Sequence, residues 1–225
     1  MQVSIDHIEQ LNDVTYTYWL RPERRVRSTA GEFVELTLPH DDVDSRGASR
    51  WFTLSSSPTE SLLAITTTFS NPGSSFKRAL QQLKPGTSLH MSDPLGDFLL
   101  PKDPAIPLVF VARGIGITPV RSIAAWLRDT GERRNAHLVY AVSGTTQVLY
   151  ADTFDTVFGD AWRWTTERIK GADVHIADMN ALYFLAGPER MTKQLADELL
   201  MLDVPSENIV TDYFPGYSEV IVAEA

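Results

Sequence analysis

The chain has 225 residues, of which 43% are hydrophobic and 22% charged, a globular composition that supports one large core or two of roughly 100 residues each. Its 20 Lys+Arg against 29 Asp+Glu leave a formal net charge of −9, which argues against nucleic acid or an anionic membrane as the main partner, because phosphates are held by clustered Lys and Arg. With no cysteine, disulfides, thiolate metal sites, a Cys nucleophile and a cysteine-bound iron–sulfur cluster fall away together. The five histidines, His7, His40, His90, His137 and His175, stand too far apart for a helical HxxH or HxxxH site, so no metal site is announced.

The opening MQVSIDHIEQ carries two acids and no basic segment, unlike a secretory signal. The longest strongly apolar run, 106–112, falls far short of the ~20 residues that cross a bilayer. The expectation is a cytoplasmic protein without membrane insertion.

In chain order, the first hundred residues read as short strands separated by turns. Tyr16, Tyr18 and Leu20 alternate with Thr17 and Trp19, and Val34, Leu36 and Leu38 with Glu35 and Thr37. Residues 41–49 are polar and read as a surface loop. Residues 50–58, RWFTLSSSP, put a cation, aromatics and hydroxyls on one extended segment. Arg50, Phe52 and Leu54 point one way there, and Trp51, Thr53 and Ser55 the other. Residues 62–69 are rich in β-branched side chains, and 88–93 form another strand candidate. Between these two, Ser74 or Ser75 caps a helix whose apolar positions are Phe76, Leu80 and Leu83. Several short strands and one helix predict a small antiparallel β-barrel over residues 1–103.

Pro101, Pro104 and Pro107 mark a boundary, and residues 104–225 alternate strand with helix. Residues 107–112, PLVFVA, form a continuous apolar run, as a strand buried on both faces requires. A helix follows with Val120, Ile123, Ala124 and Leu127 on one side. Residues 137–142, 181–186 and 208–214 are further strands. Met191, Leu195, Leu199 and Leu202 stripe the helix between the last two. This pattern predicts an α/β domain with a parallel sheet.

Two glycine-bearing turns sit at strand-to-helix junctions. In residues 113–119, RGIGITP, Gly114 and Gly116 let a ligand approach the backbone, Thr118 is the expected N-cap and Pro119 suits the first helical position. Residues 187–191, GPERM, form the second. Both fit one anionic ligand lying across the C-terminal edge of the sheet, as open parallel sheets bind ligands there.

Taken together, the motifs resemble the ferredoxin–NADP reductase-like family of flavoproteins, in order from about residue 33 to 217. RWFTLSSSP is similar to its RxYS flavin motif, NPGSSF to its GxxS phosphate motif, and GIGITP to its nicotinamide-nucleotide loop. AGPERM is similar to the CGPxxM segment, and DYFPGY to the C-terminal ExFxGY. The resemblance implies a flavin-binding barrel followed by a nicotinamide-nucleotide domain, with the isoalloxazine between them. Arg50 would contact the flavin phosphate, Phe52 would lie against the flavin, and Ser74 and Ser75 would hold the phosphate or pyrophosphate. The flavin set also takes in Trp51, Leu54, Ser55, Thr66, Thr67, Gly73 and Phe76. Gly114, Gly116, Thr118 and Pro119 would line the nucleotide pyrophosphate, Gly187, Pro188 and Met191 the nicotinamide side, and Phe214 or Tyr217 would cover the flavin. Thr53, near flavin N5, and Asp212 are the implied catalytic residues.

Departures from the family pattern are Phe52 for Tyr, Thr53 for Ser, Asn71 for the first Gly of GxxS, Ala186 for Cys and Asp212 for Glu. Arg113 stands where Gly is usual; it either pairs with a cofactor phosphate, the preferred reading, or obstructs the loop. The expected cofactors are FAD ahead of FMN, with NADPH or NADH. Residues 143–147 carry no cation for a 2′-phosphate, leaving Arg163, Arg168 and Lys170 as candidates. The resemblance implies hydride transfer from NAD(P)H to FAD and onward delivery of electrons to a separate acceptor such as ferredoxin or flavodoxin. Arg21, Arg24, Arg25 and Arg27 form a candidate docking patch for it. The alternative is a flavin-binding electron-transfer or regulatory subunit without productive NAD(P)H oxidation.

Overall fold

The computed structural model describes residues 1–145 and 148–213. The chain packs as two units that divide at Leu99/Leu100.

The first unit contains β1 (Gln2–Gln10), β2 (Thr15–Pro22), β3 (Phe33–Thr37), β4 (Ser49–Thr53), β5 (Leu63–Thr68), α1 (Ser75–Gln81) and β6 (Ser88–Met91). The strands form one antiparallel sheet in the order β4-β3-β6-β1-β2-β5. Its two ends meet. Leu54 bridges Ile65, and the Ser55 N–H donates to the Ala64 carbonyl at 2.8 Å. That closure makes the expected barrel and leaves few unpaired edge groups. The expected alternation holds in β3, where Val34 and Leu36 are buried. These two join Ile5, Tyr18, Leu20, Phe52, Ile65 and Met91 in the core, and α1 adds Phe76 and Leu80. Each such side chain contributes about 1.5–3 kcal/mol on full burial. The Tyr18 hydroxyl donates to the Leu80 carbonyl at 3.1 Å, so the polar tip of a buried ring is satisfied.

The second unit contains β7 (Leu108–Arg113), a 3-10 turn (Gly114–Ile117), α2 (Thr118–Thr130), β8 (Ala136–Ala141) and α3 (Ala151–Phe158). Beyond these come β9 (Trp162–Thr165), α4 (Gly171–Val174), β10 (Leu182–Gly187), α5 (Glu189–Leu200) and β11 (Ile209–Tyr213). All strand pairs are parallel, in the order β11-β10-β7-β8-β9. The central strand β7 is covered on both faces. Val109 and Val111 pack into one cluster with Leu195 and Leu199, and Phe110 meets Phe158 and Phe184 on the other face. This is why its sequence is a continuous apolar run rather than an alternation. The α2 stripe of Val120, Ile123, Ala124 and Leu127 is buried. The helix ends at Gly131, whose φ of 72° is the left-handed conformation glycine adopts most cheaply. No helix among the described residues is long and apolar enough to cross a membrane.

Candidate functional site

The parallel sheet brings its strand ends to one edge. Ala112, Ala186 and Asp212 lie side by side in register across β7, β10 and β11, with Gly187 one residue further on. Both glycine turns start from this edge.

The two glycines of the first turn are needed for different reasons. Gly114 has φ 54° with open space around it, so its conformation alone demands glycine. Gly116 has an ordinary conformation, but a Cβ there would lie 2.4 Å from the Ala186 carbonyl oxygen and 2.7 Å from the Gly187 nitrogen. The turn is therefore seated directly against the end of β10. In the second turn Gly187 has φ 155°, and its Cβ would come 3.0 Å from Met191 Cε and 3.2 Å from Arg113 Cβ. Pro188 is extended and precedes α5. Gly116, Gly187, Pro188, Met191 and Arg113 are thus gathered at the strand ends, and Arg113 forms no ion pair among the described residues.

Thr118 corrects one expectation, because it is not an N-cap. The residues before it are already a 3-10 turn, so Thr118 begins α2, and its hydroxyl donates to the Ile115 carbonyl at 3.0 Å. Pro119 does fall in the first helical turn, where its missing N–H costs nothing. Tyr140, absent from the expected set, holds this loop. Its buried hydroxyl donates to the Gly114 carbonyl at 3.0 Å, and burial pushes the phenol pKa up. In sequence it looks like one more apolar residue of β8.

Two of the three 2′-phosphate candidates have other partners. Arg168 is paired with Glu198, and an Arg163 Nη2 donates to the Asp173 carbonyl at 3.2 Å. Thr146 and Gln147 lie outside the described residues, as do Phe214 and Tyr217.

In the barrel unit, β4 distributes its side chains as expected. Arg50, Phe52 and Leu54 turn to the interior, where Phe52 is only 7% exposed and packs on Phe76 at 5.8 Å. Trp51 turns out, half exposed, edge-on to Phe33. Thr53 is buried, yet its hydroxyl has no hydrogen-bond partner among the described residues. Buried polar atoms are nearly always satisfied, so an orphan of this kind marks a place where a partner group belongs. Ser55 and Thr66 share a bond of 2.9 Å, and Thr66 meets Thr17 at 2.9 Å. Thr67 is buried beside them on β5.

The cations and hydroxyls around α1 form a second cluster. The Ser74 hydroxyl caps α1 by accepting the Lys77 N–H at 3.2 Å. Arg78 donates to the Gly73 carbonyl at 2.6 Å, and Lys77 Nζ to the Thr68 carbonyl at 2.7 Å. Arg50 lies over the Phe76 ring at 5.5 Å. Its Nη1 donates to the carbonyls of Arg46, Gly47 and Ser49, and its Nη2 to Asp44 Oδ1 at 2.8 Å, while its buried Nε has no partner among the described residues. Asp44 Oδ2 accepts from the Ser75 N–H and from Arg46 Nη2, both at 3.2 Å. The Ser75 hydroxyl accepts the Asp44 N–H at 3.0 Å, and His40 Nε2 lies 3.0 Å from it. Partial burial works to raise the Asp44 pKa, but hydrogen bonds from Arg46 and Ser75 and the Arg50 charge outweigh it and hold the carboxyl well below its usual range. Donors of this kind suit an anionic group such as a phosphate. Residues 41–49 are the expected polar surface loop, with five of them exposed, and the loop also returns the Asp44 carboxylate to those donors.

The arginine patch is partly neutralised. Arg21 pairs with Asp6 at 2.6 Å and Arg24 with Asp93 at 3.3 Å, whereas Arg25 and Arg27 are exposed.

A closed antiparallel barrel followed by a five-stranded parallel sheet with helices is the two-domain fold of ferredoxin reductase-like flavoproteins. No family model matches the chain. Its relatives and structural neighbours are ferredoxin reductase-like flavoprotein reductases, as the motif resemblance implied. The glycine betaine monooxygenase reductase subunit of Pseudomonas aeruginosa is 32% identical over 121 residues, covering 53% of this chain and 32% of that protein. The 3-ketosteroid-9-alpha-monooxygenase ferredoxin reductase component of Mycobacterium tuberculosis is 26% identical over 217 residues, covering 86% of this chain and 56% of that one. Among solved structures, the flavohem-like FAD/NAD-binding domain of nitric oxide dioxygenase from Vibrio cholerae superposes with a TM-score of 0.80 at 17% identity, over 95% of this chain and 98% of that domain. That likeness shows the fold. The chain spans between about a third and just over half the length of these two curated relatives.

Proposed function

We propose that the chain is a flavin-dependent NAD(P)H oxidoreductase module working in the cytoplasm, with electrons delivered to a separate acceptor. The observation that carries this reading is the pair of glycine turns at one sheet edge, where Gly116 is packed so closely on β10 that no side chain fits between them. Such an edge offers backbone N–H groups and Arg113 to the pyrophosphate of a nicotinamide nucleotide, NADPH or NADH. The orphaned Thr53 hydroxyl and the donors of Arg50, Ser74 and Ser75 support a phosphorylated flavin, FAD ahead of FMN, in the barrel unit.

A bound flavin would supply the hydride and single-electron redox chemistry. The chain's own residues bind and orient. Gly114, Gly116, Thr118 and Pro119 shape the nucleotide turn, and Tyr140 fixes it. Gly187, Pro188 and Met191 bound its other side. Thr53 would offer its unpartnered hydroxyl to the flavin, and Asp212, on β11, would be the group that holds a proton. A rate that depends on ring placement needs few acids or bases. The acceptor in this reading is a ferredoxin- or flavodoxin-type carrier or an oxygenase, in keeping with the names of the relatives. The test is oxidation of NADH and of NADPH by the FAD-supplemented chain with a one-electron dye as acceptor. FAD-dependent turnover with one nucleotide is the expected result. Retained FAD with no turnover for either would favour the flavin-binding electron-transfer or regulatory subunit instead.

A further inference from the structure

We infer that Asp44 is a built-in competitor for the flavin phosphate and sets how strongly the chain prefers phosphorylated flavins. The inference rests on the flavin reading above. The Asp44 carboxylate takes the Arg50 Nη2 at 2.8 Å and the Ser75 N–H at 3.2 Å, two donors that reading assigns to the phosphate. The Ser75 N–H is a single donor already on Asp44, and Arg50 has few groups left to offer. Arg50 Nη1 is committed to three carbonyls, which leaves Nη2 and the unpartnered Nε as the only guanidinium groups that can face a ligand. The Ser75 hydroxyl is likewise engaged, by the Asp44 N–H and His40. An incoming phosphate therefore meets a carboxylate of like charge already seated on its donors, and binds by displacing it.

The loop is built so that this displacement leaves the core intact. Asp41, Asp42, Val43, Ser45 and Arg46 are exposed, and the side chain of Asp44 is 27% exposed. What holds Asp44 is polar, namely Arg46, Arg50 and Ser75, together with the Gly47 N–H on its own carbonyl at 2.9 Å. Releasing Asp44 strips no apolar side chain from the barrel. A phosphate, with more charge and more oxygens, satisfies the same donors and adds the Arg50 Nε. The apparent affinity for a phosphorylated flavin is then lowered by the fraction of molecules in which Asp44 is seated. Riboflavin, lacking phosphate, has no need to dislodge it.

The test is titration of the full chain with FAD, FMN and riboflavin, read by flavin fluorescence, for the wild type, Asp44→Asn and Asp44→Ser. Removing the charge is expected to tighten FAD and FMN at least about fivefold and leave riboflavin within about twofold. Unchanged or weaker FAD binding in both variants, with the wild type binding FAD, would overturn the inference and leave the flavin reading standing. An equal gain for all three flavins would also overturn it, because the loop would then act as a lid. No binding of any flavin by the wild type would sink the flavin reading and the inference with it. Hydrogen exchange on the wild type covers the case in which a variant fails to fold. Amides of residues 44–47 should exchange faster with FAD bound and stay unchanged with riboflavin; slower or unchanged exchange with FAD would refute the displacement.

Discussion

Gly116→Ala isolates the contact that joins the two glycine turns. The added Cβ would sit 2.4 Å from the Ala186 carbonyl oxygen, where ordinary contact begins at 3.4 Å, so the turn must lift by about 1 Å. The oxygen cannot yield, because Ala186 belongs to β10, paired in register with both β7 and β11. Forced overpacking of this kind costs about 1–3 kcal/mol. The opposing effect is the entropy that alanine removes from the unfolded chain, worth about 0.4–1 kcal/mol in favour of folding where the new side chain fits. The sign of the measured change therefore decides between a packed and an open site. For a chain this size each kcal/mol moves Tm by about 2–4 °C, so the net of the two effects is a drop of up to about 10 °C. Gly144→Ala is the matched control, with no atom within 4 Å of its Cβ and no positive φ, and it should leave Tm unchanged or slightly higher. Thermal unfolding followed by circular dichroism reads both. Lifting the loop should also weaken nucleotide binding about tenfold or more, because small displacements at a positioning loop are costly. A Gly116→Ala variant that melts at or above the wild type would refute the packing argument.

Three further outcomes follow from the same geometry. Thr53→Val removes a buried hydroxyl without a partner, so the flavin-free chain should gain about 1 kcal/mol in urea unfolding while NAD(P)H reduces bound flavin at least about tenfold more slowly; a loss of stability would contradict this. The folded-state pKa of Asp44 is depressed, so its stabilisation is present above the ordinary carboxylate pKa of about 3.9 and is lost as pH falls below it. The urea-midpoint gap between wild type and Asp44→Asn should be full at pH 6 and shrink below about pH 4; a gap independent of pH would contradict the assignment. Tyr140→Phe strips a donor from the Gly114 carbonyl and should cost about 1 kcal/mol, with weaker nucleotide binding and unchanged flavin content; flavin loss without nucleotide loss would place Tyr140's role elsewhere.

Much of the architecture was legible because burial writes itself into spacing. Val34 and Leu36 alternate because one face of β3 meets the core, and β7 is continuously apolar because both faces do. β1 escaped because its register shifts between Ile5 and His7, and that break destroys the period-2 pattern on which recognition depends. β9, with the sequence WRWT at the sheet edge, is short and only partly buried, so it carries little apolar signal. At the site, the two glycine turns were visible, but their reasons were not. Sequence cannot tell a glycine that needs its φ, such as Gly114, from one that needs its missing Cβ, such as Gly116. Nor can it tell a 3-10 turn from an extended one, which is why Thr118 looked like a cap. Asp44 and Tyr140 act through contacts made 31 and 26 residues away along the chain, a separation no local pattern records.

The central claim is that this chain binds flavin and passes reducing equivalents to it from a nicotinamide nucleotide. Anaerobic titration of the FAD-reconstituted chain with NADH, and separately with NADPH, tests it directly through the flavin absorbance. The account predicts stoichiometric bleaching by one nucleotide, which also fixes the cofactor preference. A bound-flavin spectrum unchanged by either nucleotide would contradict it.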